Sequence, residues 1–148
     1  MAIQNQEVEK FFSRYEFRFN DALKGAKPNV DETVDAFASD FIEASPAGII
    51  AGKNDAKFRA AITQGWSFYK EIGISAMKII SVQVTLLDDL HAIAKVRWNS
   101  SFLRKDKTSG EIAFDVFYIL QKQGEQLRIF AYITGDEQQA LKDTGLIQ

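Results

Sequence analysis

Three side chains stand out for chemistry because their surroundings do not suit them. Asp115 sits between Phe114 and Val116 in a segment that is otherwise almost wholly apolar. A carboxyl there is costly unless it is paired or held protonated. It is therefore either a cavity acid with a raised pKa or half of a cross-strand ion pair, and alternation offers Arg97 as the partner. Tyr15 lies on an apolar helical stripe. If buried, its hydroxyl needs a hydrogen-bond partner, and Asp115 is the natural candidate. Glu43 is a lone carboxylate inside an otherwise apolar hairpin.

The other reactive residue types are scarce. The chain has no cysteine, which removes thiol nucleophiles, thiolate metal sites and disulfides. The single histidine, His91, follows Asp88-Asp89-Leu90 and reads as a solvent-exposed turn residue. One histidine supports neither a histidine metal cluster nor a Ser-His-Asp triad. No glycine-rich phosphate loop is present, and no cofactor is expected. With a net charge of −2 and a pI near 5.4, nothing invites nucleic acid or an acidic membrane. The densest basic stretch, Arg104 to Lys107, is broken by Asp106 and reads as a hairpin tip. The N-terminus lacks the cationic start and apolar run of a signal peptide. No apolar stretch approaches the roughly 18 residues of a membrane span. A cytoplasmic location is expected.

The elements that must position these residues are written in the periodicity. Val8, Phe11, Phe12, Tyr15, Phe19 and Leu23 recur at three and four, which predicts a long amphipathic helix over 5–24. Gly25 and Pro28 stop it. Asp31 opens a short second helix carrying Val34 and Phe37 and closing at Ser39-Asp40. Short strands follow at Phe41 to Ala44 and Ile49 to Ala51, joined by Ser45-Pro46-Ala47-Gly48. A third helix carries Phe58, Ile62, Trp66 and Tyr69 and ends at Gly73.

The rhythm then changes to four Val-, Ile-, Phe- and Tyr-rich segments, 75–87, 91–104, 111–122 and 126–134, separated by short turns. Such links join antiparallel neighbours. A last helix spans Glu137 to Lys142. Helices first and a meander afterwards make this an α+β chain of one domain over 1–148: a cone-shaped roll of three helices on a curved four-stranded sheet, with a short hairpin.

Neither face of the predicted sheet is polar enough to lie open to water. The segment 126–134 sets Leu127, Ile129, Ala131 and Ile133 against Arg128, Phe130, Tyr132 and Thr134. Three helices cover one face, so the other is expected to meet a second copy in a homodimer. The covered face should hold a pocket for a hydrophobic small molecule. Its expected lining is Tyr15, Phe19, Trp66, Tyr69, Arg97, Asn99, Asp115, Phe117 and Tyr132, although the four polar strand residues could instead belong to the dimer face.

The order of elements resembles the nuclear-transport-factor-2-like fold, and it does so over nearly the whole chain. Phe37-Ala38-Ser39-Asp40, Ser45-Pro46-Ala47-Gly48, Gly52, Phe114-Asp115-Val116, Ala131-Tyr132, Ala140-Leu141 and Gly145-Leu146 are similar to segments of its ketosteroid-isomerase and polyketide-cyclase-like (SnoaL-like) branches. That resemblance implies a cavity in which Tyr15, within Ser13-Arg14-Tyr15, and Asp115 donate hydrogen bonds to an enolate oxygen. The position of the aspartate base, just before Pro46, is Ser45, which has no useful basicity. The resemblance thus implies an oxyanion site without its proton-moving partner. A pocket protein, with or without isomerase, cyclase or dehydratase activity, and a non-catalytic dimeric accessory module both fit the sequence.

Overall fold

The computed structural model describes residues 1–25 and 29–148. Pro28, expected to help stop the first helix, lies outside them. Helix α1 spans Asn5–Leu23. The backbone N–H of Gln4 donates to Glu7 Oε1 at 3.3 Å and so ties off the first turn. Val8 and Phe12 are wholly buried, and Phe11, Tyr15 and Phe19 pack against the same core.

Helix α2 spans Val30–Asp35, and Asn29 Oδ1 caps it by accepting from the Glu32 N–H at 3.1 Å. It is shorter than the sequence predicts. Phe37 leaves it to open strand β1, Phe37–Ser45. The cause is long-range. The Ile129 N–H donates to Ala36 O at 2.8 Å, and Asn54 Nδ2 donates to the carbonyls of Val34 and Phe37 at 2.8 and 3.0 Å. These partners outbid the local preference to stay helical.

Strand β2, Gly48–Lys53, returns antiparallel to β1 across Pro46-Ala47. Helix α3, Ala56–Ile72, starts on Asp55, whose Oδ1 accepts from the Phe58 N–H at 3.0 Å. It ends at Gly73, where φ is +108° and a Cβ would stand 2.2 Å from Leu103 O. Only glycine fits both conditions. Strands β3 (Ile74–Leu86), β4 (His91–Leu103), β5 (Ser109–Gln123) and β6 (Gln126–Ile133) form the expected meander, followed by helix α4, Glu137–Asp143.

All strands join one open six-stranded sheet in the order β2-β1-β6-β5-β4-β3. The hairpin is thus an extension of the meander, joined through parallel pairing of β1 with β6. Helices and core lie on one face. On β4, the alternating residues Ala92, Ala94, Val96, Trp98, Ser100 and Phe102 are all buried there.

The phase of β6 corrects the expected alternation. Ile119 pairs with Ala131, yet Leu120 pairs with Ile129, so Phe130 is an extra residue in the ladder. Such a bulge shifts the side-chain phase by one. Ile129 and Tyr132 therefore both face the helices, while Ala131 and Ile133 turn to the outer face beside Ile119 and Phe117. Two further irregularities in β3, at Ile74/Ala76 and Ile79/Ser81, bend the sheet around the helical layer.

Candidate functional site

A cavity of about 410 Å³ lies between α1, α3, α4 and the inner face of the sheet. Helix α1 contributes Tyr15 and Phe19, and α3 contributes Phe58, Trp66 and Tyr69. Trp98, Phe114, Tyr118 and Tyr132 come from the strands, and Ala140 and Leu141 from α4. All four tyrosines and both tryptophans of the chain line this one space. Gly65 also lines it, from the middle of α3, where a Cβ would meet nothing within 4 Å.

The rings brace one another. Tyr15 lies 6.2 Å, centre to centre, from both Trp98 and Tyr118, and Phe19 lies 5.7 Å from Tyr69. The polar ends are partly tied. Trp98 Nε1 donates to the Tyr118 hydroxyl at 3.3 Å, and the Tyr69 hydroxyl donates to Glu137 Oε1 at the start of α4. Behind the wall, Arg18 is buried. It donates from Nε to Thr33 Oγ1 at 2.8 Å, pairs with Glu32 at 3.1 Å, and sets its guanidinium 5.5 Å from the centre of the Tyr15 ring.

Burial holds every phenol in its neutral form. It pushes Tyr15 up to about 12 against the pull of Arg18. Tyr118 is raised by the same cause. Tyr69 and Tyr132 also rise, chiefly through burial and then through the Glu137 and Glu43 carboxylates beside them. At neutral pH these groups are hydrogen-bond donors rather than bases. Among the described residues no Lys, Arg or His lines the cavity, and its carboxylates are Asp136 and Glu137.

Of the residues the sequence singled out, Tyr15, Phe19, Trp66, Tyr69 and Tyr132 come together here. Arg97, Asn99, Asp115 and Phe117 do not. Phe114 and Val116 face inward, so strict alternation sends Asp115 and Phe117 to the outer face. Asp115 stands directly opposite Arg97 and accepts its Nη1 hydrogen bond at 3.2 Å. Tyr15 and Asp115, the two candidate catalytic groups, are thus on opposite sides of the sheet. The oxyanion pair implied by the resemblance is not assembled.

Ser45 Oγ accepts from the Ala47 N–H at 3.2 Å and fixes the turn. Glu43 pairs with Tyr132 along the parallel ladder, beside the cavity wall. His91 is half-buried rather than exposed. Its Nδ1 lies 2.8 Å from Asp88 Oδ1 and its Nε2 lies 3.1 Å from Gln121 Nε2, so it ties the β3–β4 turn to β5. No group of His, Asp and Glu suited to a metal occurs among the described residues, and no helix there is long and apolar enough to cross a membrane.

Trp98, Ser100 and Tyr118 also line the cavity, although they do not stand out in the sequence as site residues. Their signal is one of phase. Trp98, Ser100 and Phe102 alternate, and Ser100 is the one hydroxyl in an otherwise apolar row.

Comparison with known proteins agrees with this architecture. No curated protein matches the sequence. Among solved structures, an NTF-2 like protein of unknown function from Shewanella oneidensis is similar at 14% identity, covering 90% of this chain and 100% of that one, with a TM-score of 0.66. An NTF2-like protein with a cystatin-like fold from Novosphingobium aromaticivorans shares 15% identity over 97% of this chain and 88% of its own, with a TM-score of 0.64. A ketosteroid isomerase-like protein from Erwinia carotovora shares 13% over 88% and 93%, with a TM-score of 0.61. Identities this low establish the fold alone. The family model described as NTF2-like protein (DUF6841) matches residues 6–137, and the chain belongs to that family.

Proposed function

We propose that this chain is a binding protein that encloses a hydrophobic small molecule in the aromatic cavity between its helices and its sheet. The observation that carries the reading is the gathering of every tyrosine and tryptophan around one space of about 410 Å³. Small-molecule pockets have this size and this mixture of apolar walls with a few placed polar groups. Gly65 supports it further. A glycine inside a helix costs about 1 kcal/mol relative to alanine, and here its missing side chain keeps the wall open.

Binding without proton abstraction suits the cavity best. Its phenols are neutral, Asp136 is occupied in capping α4 through the Gln139 N–H at 3.0 Å, and Glu137 receives the Tyr69 hydroxyl. A general base needs a free, suitably placed acceptor. The exposed Phe117 and Ile133, neighbours on the outer face, support assembly of two copies through that face.

A thermal-shift series with ethylnaphthalene tests the reading. At a hundredfold excess over Kd, the wild-type protein gains about 2.7 kcal/mol. Gly65→Leu, which fills the cavity from a helix that tolerates leucine better than glycine, folds and gains nothing. A wild-type protein with no response to this or other neutral aromatic probes ends the proposal.

A further inference from the structure

A second recess, of about 230 Å³, lies between α1, α2 and the start of β6 and shares no lining residue with the aromatic cavity. Phe11, Arg14 and Arg18 enter it from one stripe of α1, at spacings of three and four. Glu32, Asp35 and Ala36 come from α2 and its end, and Gln126 and Leu127 from β6.

Two guanidiniums here share one carboxylate. Arg14 donates to both oxygens of Glu32 at 2.8 to 3.0 Å, Arg18 Nη1 donates to it at 3.1 Å, and Asn29 Nδ2 at 3.2 Å. Those donors fill what a carboxylate can accept. Arg18 also donates from Nε to Thr33, but its Nη2 meets no acceptor among the described residues. The side chain is only 6% exposed. Nor is Nη2 sealed in the core, because Ser100 Oγ is the one fully enclosed side-chain polar atom there without a partner. What opening the Arg18 head has is to the recess it lines. A guanidinium taken so far from water needs acceptors and counter-charge to offset the loss of hydration. Water supplies the first alone, and an anion supplies both.

The surrounding charges leave a place for one negative group. Asp35 lines the recess too, but it forms no ion pair with Arg14 or Arg18 among the described residues. Arg128 stands at the rim and donates to the Asp35 carbonyl at 2.8 Å and to Gln126 Oε1 at 2.7 Å. The Gln126 amide N–H groups are thereby left as further donors. Arg14, Arg18 and Arg128 outnumber Glu32 and Asp35 by one. Phe11, Ala36 and Leu127 make the remaining wall apolar.

We infer that this recess is a second binding site, for a small monocarboxylate with an apolar body, of the size of benzoate. Its carboxylate lies on the Arg18 and Arg14 guanidiniums, whose forked donors match that geometry, and its body lies against Phe11 and Leu127. A multiply charged oxyanion exceeds the single surplus charge and gains nothing from the apolar wall. The site is independent of the aromatic cavity and of whatever that cavity binds.

Benzoate, its uncharged analogue benzamide and inorganic phosphate test the assignment, titrated by calorimetry with backbone amide shifts followed by nuclear magnetic resonance. Benzoate should bind at least about tenfold more tightly than benzamide, the worth of a charge-assisted hydrogen bond. It should also bind more tightly than phosphate, with shifts on the lining residues of α1, α2 and β6. Arg18→Lys keeps the charge, loses the fork and should weaken benzoate about tenfold. Arg14→Gln replaces a side chain that is 55% exposed, so the fold is safe, and should weaken benzoate while leaving benzamide unchanged. Gly65→Leu, which fills the aromatic cavity, should bind benzoate as the wild type does.

The assignment is overturned if benzoate does not bind at millimolar concentration, if benzamide equals it, or if its affinity survives both arginine substitutions. Loss of benzoate binding in Gly65→Leu would place the anion in the aromatic cavity instead, and tighter binding of phosphate would overturn the ligand class. None of these results touches the response to ethylnaphthalene, which Arg14→Gln should retain in full.

Discussion

The Arg97 guanidinium and the Asp115 carboxylate face each other across β4 and β5 at 3.2 Å, on the side of the sheet that points away from the helices. Their side chains remain 46% and 31% exposed. A pair so open to water contributes less than about 1 kcal/mol. Asp115→Asn should therefore change stability by no more than that and leave ligand-induced stabilisation intact. Thermal melts with and without ethylnaphthalene measure both. Loss of the ligand response in Asp115→Asn would return this carboxyl to the binding site and contradict the strand phase described above.

Tyr15 gives the cavity a signature at alkaline pH. Its phenol is raised from 10.0 to about 12 in the folded protein, with burial the larger cause and Arg18 working against it. A group whose folded pKa lies above its unfolded value contributes stability that is complete below the unfolded pKa and is lost as pH rises through the folded one. Stability should accordingly fall between about pH 10 and pH 12. Tyr15→Phe has no proton to lose and should show a shallower fall across that window. Melting temperature against pH, alongside tyrosinate ultraviolet absorbance, reads the difference. An unchanged slope in Tyr15→Phe would mean that the phenol is not held in the protonated state by its burial.

The opposite sign applies on the acid side. Arg14 donates to both oxygens of Glu32, and this hydrogen bonding, with help from Arg18 and against partial burial, holds the carboxyl below its usual range. That contribution is present above the unfolded carboxylate pKa and is lost as pH falls through the folded value. Glu32→Gln leaves the buried Arg18 without its counter-charge. It should cost about 1 to 3 kcal/mol at neutral pH, less than for a fully buried pair because Glu32 is one-third exposed. The gap between variant and wild type should close in acid. Chemical denaturation at neutral and acid pH measures it, and a gap independent of pH would assign the loss to packing.

The helices and the four long strands could be read from sequence because each carries its own period and is closed by its own turn residues, as Asp55 and Gly73 do for α3. The start of β1 could not. Phe37 lies on a helical spacing with Val34, and the forces that pull it into the sheet come from Ile129 and Asn54, far along the chain. The site divides in the same way. Tyr15, Phe19, Trp66 and Tyr69 were legible because a helical stripe has only one inner side. The strand residues were not, because both faces of this sheet are apolar and alternation then says which residues travel together but not which way they point. Simple alternation groups Tyr132 with Arg97, Asn99 and Asp115. One extra residue at Phe130 moves it to the cavity, and nothing in the local sequence marks that bulge.

The outer face makes a prediction about assembly. Phe117 and Ile133 pair in register there and are 37% and 46% exposed, with Ala131 and Ile119 beside them. A stable dimer buries about 800 Å² per partner, and an apolar sheet face is suited to supply it. Analytical ultracentrifugation at micromolar concentration should find a dimer, and Phe117→Glu should give a folded monomer that still takes up the aromatic probe. A monomeric wild type would leave this face unexplained and remove the homodimer.

The Tyr69–Glu137 hydrogen bond makes the final prediction, which concerns access. Helix α4 supplies Ala140 and Leu141 to the cavity wall, and Leu141 is buried against the core, yet the helix is short and follows directly on the last strand. The Tyr69 hydroxyl is what fastens its first turn to α3. Tyr69→Phe keeps the ring that packs on Phe19 and removes only the fastening. Because Glu137 is exposed, loss of the bond should lower stability by only about 1 kcal/mol. If α4 controls entry, the variant opens more often. Association and dissociation of a naphthalene probe then accelerate by the same factor, and Kd scarcely moves. Stopped-flow fluorescence separates the two rates. A drop in melting temperature with both rates unchanged would make the bond a structural tie and place the entrance elsewhere on the cavity wall.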